Sequence, residues 1–190
     1  MGITGGVGMG KSTSAQLLRT RSIPVVDTDD LAREVVTPGQ PALAEVRDAF
    51  GPDIVASDGH LRRDELARRV FGDPAARQRL EQILHPRIRS LWQAQLSAWA
   101  LEGRPLAVVI IPLLFETQVE REFDATICIA CSAATQDQRL RQRGWSPEQI
   151  SQRIQAQLPI EKKIAKADYV IWTEGTLEVH AAQLERILRV

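Results

Sequence analysis

One run of eight residues carries the most specific chemistry in the chain. Gly5-Gly6-Val7-Gly8-Met9-Gly10-Lys11-Ser12 satisfies G-x-x-x-x-G-K-[ST]. Glycines let a backbone curl until successive N–H groups converge on phosphate oxygens, and a helix opening at the end of the loop adds the positive end of its dipole. Lys11 can then reach the β- and γ-phosphates, and the Ser12 hydroxyl can ligate Mg²⁺. The candidate nucleotide contacts are Gly6, Val7, Gly8, Met9, Gly10, Lys11, Ser12 and Thr13, with Ser12 as the metal ligand. Such a loop implies binding of a nucleoside triphosphate and leaves the reaction open.

Two further groups bear on that reaction. Val25-Val26-Asp27-Thr28-Asp29-Asp30 lies where a second strand would end, and in open α/β sheets ligands gather beyond the carboxyl ends of the strands. A carboxylate there can take a proton from an attacking hydroxyl or help hold Mg²⁺ through water. Asp29 is the candidate; its alternative role is N-cap of a helix over 31–36. Arg139 and Arg143 are four apart and share a helix face after the fourth strand. Two guanidiniums on a mobile element suit a lid over transferring phosphates, or else form a solvated face. Cys128 and Cys131 form a C-x-x-C. They sit in a β-branched run, away from the helix N-terminus that activates a redox thiol, and zinc would need two more ligands. They read as buried structural thiols.

These groups need a scaffold. Apolar runs at 2–4, 23–26, 106–111, 125–131 and 169–172 are short and continuous, which suits a parallel sheet covered on both faces. Helical patterns separate them, so the expected fold is α/β and doubly wound. From Thr28 to Gly103 no convincing strand appears. That interval ends in a long helical pattern that Pro86 should kink or divide. A helical insertion of this size within a parallel-sheet domain reads as cover for a binding site.

Composition bounds the partners. The chain has 190 residues, 44% hydrophobic and 25% charged, which is one ordinary globular domain's worth rather than a disordered or disulfide-dense chain. Twenty-four Lys plus Arg balance 24 Asp plus Glu, against the basic excess of a nucleic-acid binder. No apolar run approaches the ~20 residues of a membrane span, and no secretory leader is visible, so a cytoplasmic protein is expected. Between Arg62 and Arg89 eight arginines face four acids. This local excess either attracts a polyanion or is an ordinary solvated face.

Taken together, the motifs resemble the dephospho-coenzyme A kinase family over nearly the whole chain. The match rests on the loop from Thr4 to Thr13, then on Val26-Asp27-Thr28-Asp29 with Leu31-Ala32-Arg33-Glu34-Val35-Val36. Phe50-Gly51, Asp58-Gly59, Leu61-Arg62-Arg63, Leu84-His85-Pro86 and Pro112-Leu113-Leu114-Phe115-Glu116 follow in the family's order. Ala156-Gln157, Lys162 and Ala167-Asp168-Tyr169-Val170-Ile171 complete the set. The chain departs from the family at Trp172-Thr173, where Asp-Asn is usual.

The resemblance implies ATP- and Mg²⁺-dependent phosphorylation of the ribose 3′-hydroxyl of dephospho-coenzyme A. It implies a three-layer P-loop α/β/α fold with a five-stranded parallel sheet, a helical substrate insertion and a helical lid. The core would comprise 1–29, 104–134 and 157–190, the insertion 30–103 and the lid 135–156. Asp29 becomes the base, with Lys11, Arg139 and Arg143 as the other catalytic residues. Asp29, His85 and Leu113 become substrate contacts, His85 having a helix-kink role as its alternative. The implied partners are small molecules, with no nucleic acid or membrane, on a monomer or small homo-oligomer. The rival readings are a kinase of the same architecture acting on another acceptor and a nucleotide-dependent switch. A guanine-specific switch typically needs Asn/Thr-Lys-x-Asp; the chain has no Asn, and its nearest match is Ala165-Lys166-Ala167-Asp168.

Overall fold

The short apolar runs become strands of one sheet. The computed structural model describes residues 1–188, Phe71 by its main chain only; Arg189 and Val190, the end of the expected core segment, lie outside the described residues. Strands β1 (Gly2–Gly5), β2 (Val25–Asp27), β3 (Val108–Ile110), β4 (Thr126–Ala130) and β5 (Tyr169–Trp172) lie in the order β2-β3-β1-β4-β5. All pairings are parallel: Ile3 stands opposite Ile110 on one side and Ile127 on the other, and Ile129 opposite Ile171. Parallel neighbours need crossover connections, which cover both faces of β1, β3 and β4 and explain their continuous apolar runs; at the sheet edge β5 leaves Tyr169, Val170 and Trp172 exposed.

Side-chain alternation sorts the two faces. Ile3, Ile110, Ile127, Ile129 and Ile171 pack against Ala15 and Leu18 of α1 (Lys11–Arg19) and Leu184 of α9 (Leu177–Leu188). Each of the larger side chains is 0–1% exposed and contributes about 1.5–3 kcal/mol by leaving water. Thr4 and Cys128 alternate with these residues and face the side covered by α8 (Ile160–Lys166). The fold is the expected α/β one, a five-stranded parallel sheet with helices on both faces.

The chain packs as two compact units, Met1–Asp27 with residues 103–188, and Thr28–Glu102. The second holds α2 (Thr28–Glu34), α3 (Pro41–Phe50), α4 (Arg63–Phe71) and α5 (Pro74–Leu101). Its interior is Val46, Ile54 and Leu66 beside Val35, Val36 and Leu43, with Ile83 and Leu84 of α5 against both groups. Asp73 starts α5 by accepting from the N–H groups of Ala75 and Ala76, and Pro74 fills the first helical position, where its missing N–H costs nothing.

Of the two outcomes expected at Pro86, a kink or a division, the helix is not divided: α5 continues through it for 28 residues. A mid-helix proline removes one N–H and crowds the preceding turn. The turns on either side are held by packing, with Ile83, Leu84 and Ile88 against the buried residues of this unit, and the Arg87 guanidinium also donates to the Ile83 carbonyl at 2.6 Å. The arginine excess is partly cancelled locally: Arg68 and Arg69 pair with Glu65, Arg69 also with Asp53, Arg77 with Glu81 and Arg87 with Glu45. Arg68 and Arg77 are exposed, as on a solvated face, whereas Arg69 and Arg87 are half-buried and also bond to main-chain carbonyls.

Candidate active site

The phosphate loop hangs from the carboxyl end of the central strand. Gly5 closes β1 at φ +149°, where an added Cβ would stand 2.2 Å from the Ile129 carbonyl, so only glycine lets the loop leave so close to β4. Gly8, at φ +76°, lies against Leu140 in the same way. The first N–H groups of α1 have no intrahelical acceptor, and they open directly after the loop. Lys11 Nζ donates to the carbonyls of Gly5 and Gly6 at 2.8 and 2.9 Å, which folds the ammonium over the loop. Ser12 is exposed at the start of α1 and Thr13 half-buried beside it.

A cleft of about 370 Å³ opens beside the loop. Gly8, Gly10 and Thr13 line it, together with Arg139 of α6 (Ala133–Gln142), Arg143 at the C-cap of that helix and, beyond β5, Thr173 and His180. Ser132 caps α6 by accepting from the Thr135 N–H, while Glu174 accepts from the Ser132 N–H and the Thr135 hydroxyl. This fixes the helix that aims the arginines. Arg139 donates from Nη1 to the Thr173 hydroxyl at 2.9 Å and from Nη2 to the Thr173 carbonyl at 2.5 Å. That hydroxyl in turn donates to the Met9 carbonyl at 3.0 Å. A single buried threonine thus ties the guanidinium to the phosphate loop. Arg141 turns away and pairs with exposed Asp137, as its position on the helix predicts.

His180 on α9 is buried, its Nε2 2.9 Å from the Ser14 hydroxyl of α1. Burial pushes its pKa below the usual histidine value, and the Arg139 charge acts in the same direction. On the other face of the sheet, Lys163 is fully buried. It donates to the Pro112 carbonyl at 2.6 Å and pairs with Glu116 at 2.8 Å. The Thr4 hydroxyl donates to the same carbonyl, and Glu116 also accepts from the Leu158 N–H. Burial drives the Cys128 thiol up to about 11 despite the charges of Lys163 and Lys11, and raises that of Cys131. Both are free, buried and protonated at neutral pH, so they are structural thiols.

The sheet unit therefore brings the loop, Arg139 and Arg143 to one cleft. Leu113 lies half-buried in the turn after β3, its carbonyl accepting from Thr117. Asp29 and His85 belong to the helical unit. Asp29 is exposed in the first turn of α2; because that helix already begins at Thr28, its carboxylate is inside the turn and not at the N-cap. His85 is half-buried in α5 directly before Pro86. Thr173, His180, Gln136 and Lys163 escaped sequence reasoning. For Thr173 the available signal was its position in a motif departure. For Lys163 it was a charge inside a short helix next to the Lys162 of the family pattern.

The comparisons with known proteins agree. The family model described as "CoaE: Dephospho-CoA kinase" matches residues 1–178. The dephospho-CoA kinase of Bdellovibrio bacteriovorus is 41% identical over 189 residues, covering 100% of this chain and 94% of its own. That of Anaeromyxobacter dehalogenans is 43% identical, covering 99% and 90%. Among solved structures, TT1252 from Thermus thermophilus superposes with a TM-score of 0.84 at 37% identity, covering 99% of this chain and 95% of that one. With the family's phosphate loop in place and the match running nearly end to end, the chain belongs to the dephospho-CoA kinase family.

Proposed function

We propose the following roles in the reaction that this kinase catalyses, transfer of the γ-phosphoryl group of ATP to the ribose 3′-hydroxyl of dephospho-CoA, giving CoA and ADP. The reaction needs positioning and charge neutralisation more than covalent chemistry. The N–H groups from Gly6 to Thr13 cradle the phosphates, and Lys11 moves its ammonium from the Gly5 and Gly6 carbonyls to the β,γ-phosphate oxygens. Arg139 and Arg143 neutralise charge that develops on the transferring group. The observation that carries this reading is the single cleft shared by the loop and both arginines. Asp29 takes the proton of the attacking hydroxyl, supported by its place just past β2 beyond the carboxyl end of the sheet. His85 and Leu113 contact the acceptor, and Thr28–Glu102 is the acceptor-binding unit, with α6 and α7 (Pro147–Gln155) as the lid.

The donor set also suits Mg²⁺ arriving with the nucleotide. Among the described residues no group of three or more His, Cys, Asp or Glu could hold a metal ion, whereas the exposed Ser12 hydroxyl offers the single protein ligand that a phosphate-bound Mg²⁺ requires. Held by Ser12, the ion would supply neutralisation of the nucleotide's phosphate charge. We place the enzyme in the cytoplasm, as a monomer or small homo-oligomer whose partners are small molecules.

The test is ADP release with ATP and Mg²⁺ in the presence and absence of dephospho-CoA, with adenosine and AMP as competing acceptors. ADP appearing only with dephospho-CoA, alongside a product heavier by one phosphate, supports the reading. Equal turnover on AMP would replace the acceptor, and ADP release indifferent to any acceptor would make the protein a switch.

A further inference from the structure

Both ends of the α6–α7 arm are fastened to one residue of the phosphate loop. At the near end, Gln136 is buried in α6 and its Nε2 donates to the Val7 carbonyl at 2.8 Å. At the far end, Gln157 follows α7 and its Oε1 accepts from the Val7 N–H at 3.0 Å. The main chain dictates which amide atom faces it: a carbonyl needs a donor and an N–H needs an acceptor, so the two glutamines are used in opposite senses. Everything between them, residues 137–156, forms a closed circuit through Val7. That circuit carries Arg139 and Arg143, and Arg139 is tied again to the loop through Thr173 and Met9.

We propose that Gln136 and Gln157 are positioning residues that clasp both roots of the arginine-bearing arm to the Val7 main chain, coupling the shape of the phosphate loop to the placement of Arg139 and Arg143. Two short ties on one residue resist any displacement of the arm's two roots that the loop does not share. A loop ordered by phosphate therefore holds the arginines at the distance the transfer needs, and a distorted loop withdraws them. The proposal rests on the assignment of those arginines to the transferring phosphoryl.

The opposite senses of the two amides supply the test. Gln136→Glu and Gln157→Glu each add one negative charge beside the same residue, so charge alone affects them alike. A carboxylate at neutral pH cannot donate but can accept. Gln136→Glu should therefore lower kcat about tenfold more than Gln157→Glu, the size of one lost hydrogen bond at the partly buried Val7 carbonyl. The KM for dephospho-CoA should not move. Amide exchange of Val7, read without turnover, should stay slow in Gln157→Glu and become fast in Gln157→Met. In a background of Gln136→Met with Gln157→Met, Arg139→Ala should cost about tenfold less in kcat than it does alone, because an arginine no longer held in place has less to lose.

Equal effects of the two Glu variants, additive penalties with Arg139→Ala, or fast exchange of the Val7 N–H in the unsubstituted protein would overturn the clasp. Arg139→Ala at full kcat in the unsubstituted protein is a separate failure. It would remove the arginine assignment itself, before any glutamine is touched, and the clasp with it.

Discussion

The two units spend their polar side chains differently. In the sheet unit, Lys11, Arg139, Thr173 and Lys163 bond to main-chain carbonyls at Gly5, Gly6, Thr173, Met9 and Pro112. In the helical unit, Arg33, Arg47 and Arg68 bond to carboxylates one to three residues away on the surface. Arg63, Arg69 and Arg87 are exceptions there, since they reach the carbonyls of Arg33, Phe50 and Ile83. A bond to a buried carbonyl fixes geometry, because no water replaces the lost donor. An exposed ion pair competes with water and salt and is worth about 0–1 kcal/mol. Substitutions in the first unit should therefore be read in kcat, and most in the second in stability.

Asp29 is the sharpest challenge to that contrast, an exposed charge of the helical unit with an assigned chemical role. Asp29→Asn should lower kcat by about 10²–10⁴-fold while KM for ATP changes little, as expected for a general base. Steady-state kinetics with both substrates varied will check it. Retained kcat with a lowered melting temperature would return Asp29 to the ordinary surface charges favoured in a helix's first turn.

In the sheet unit, Lys11→Ala should reduce turnover several hundredfold or more, since a preorganised charge at the transferring group is worth roughly 3–4 kcal/mol. Near-normal turnover would remove the loop from the chemistry. The helical unit should answer in the other currency. Ile54 is fully buried, and Ile54→Ala should cost about 2–5 kcal/mol in denaturant unfolding with kcat of the folded fraction unchanged. A fall in kcat to match would show that packing in this unit also tunes the reaction.

His180 supplies a pH dependence that belongs to the sheet unit alone. Its folded-state pKa is depressed below the usual histidine value of about 6.5, so as the pH falls the unfolded chain takes up the proton first. The stability contributed by its neutral form is full above about pH 6.5 and is lost as the pH falls towards the folded-state pKa. Melting temperatures measured from pH 7 to 5 should fall, and His180→Gln should flatten that part of the curve; an unchanged slope would count against the buried neutral ring. The smallest effect is expected at Arg77, whose partner Glu81 lies 3.9 Å away on an exposed helix face. Arg77→Ala should cost about 0.3–0.5 kcal/mol, and a larger loss would mean that this arginine has work beyond its ion pair.

The phosphate loop was legible because its chemistry is local. Eight adjacent residues specify glycine conformations, a lysine and a hydroxyl in fixed order. Periodicity likewise revealed the five strands and the helical insertion, since each element reports on its own burial. Pro86 did not divide α5: the rule that proline interrupts a helix is local, whereas Ile83, Leu84 and Ile88 on both sides of it pack against the buried residues of the unit. Asp29 was assigned its N-cap alternative from a helix start placed at 31, whereas α2 begins at Thr28.

The sequence by itself determined the class of fold, the nucleotide chemistry and, through ordered motifs, the family. Each of these depends on residues near one another in the chain. Only the tertiary structure decided what holds the loop and the arginines together. Val7 meets Gln136 and Gln157, Met9 meets Thr173, and Ser14 meets His180, across separations of 129 to 166 residues. Glutamine, threonine and serine carry no spacing rule that would announce such a partner. Their role appears only when folding brings a donor and an acceptor from distant parts of the chain within hydrogen-bond distance, where water is largely displaced.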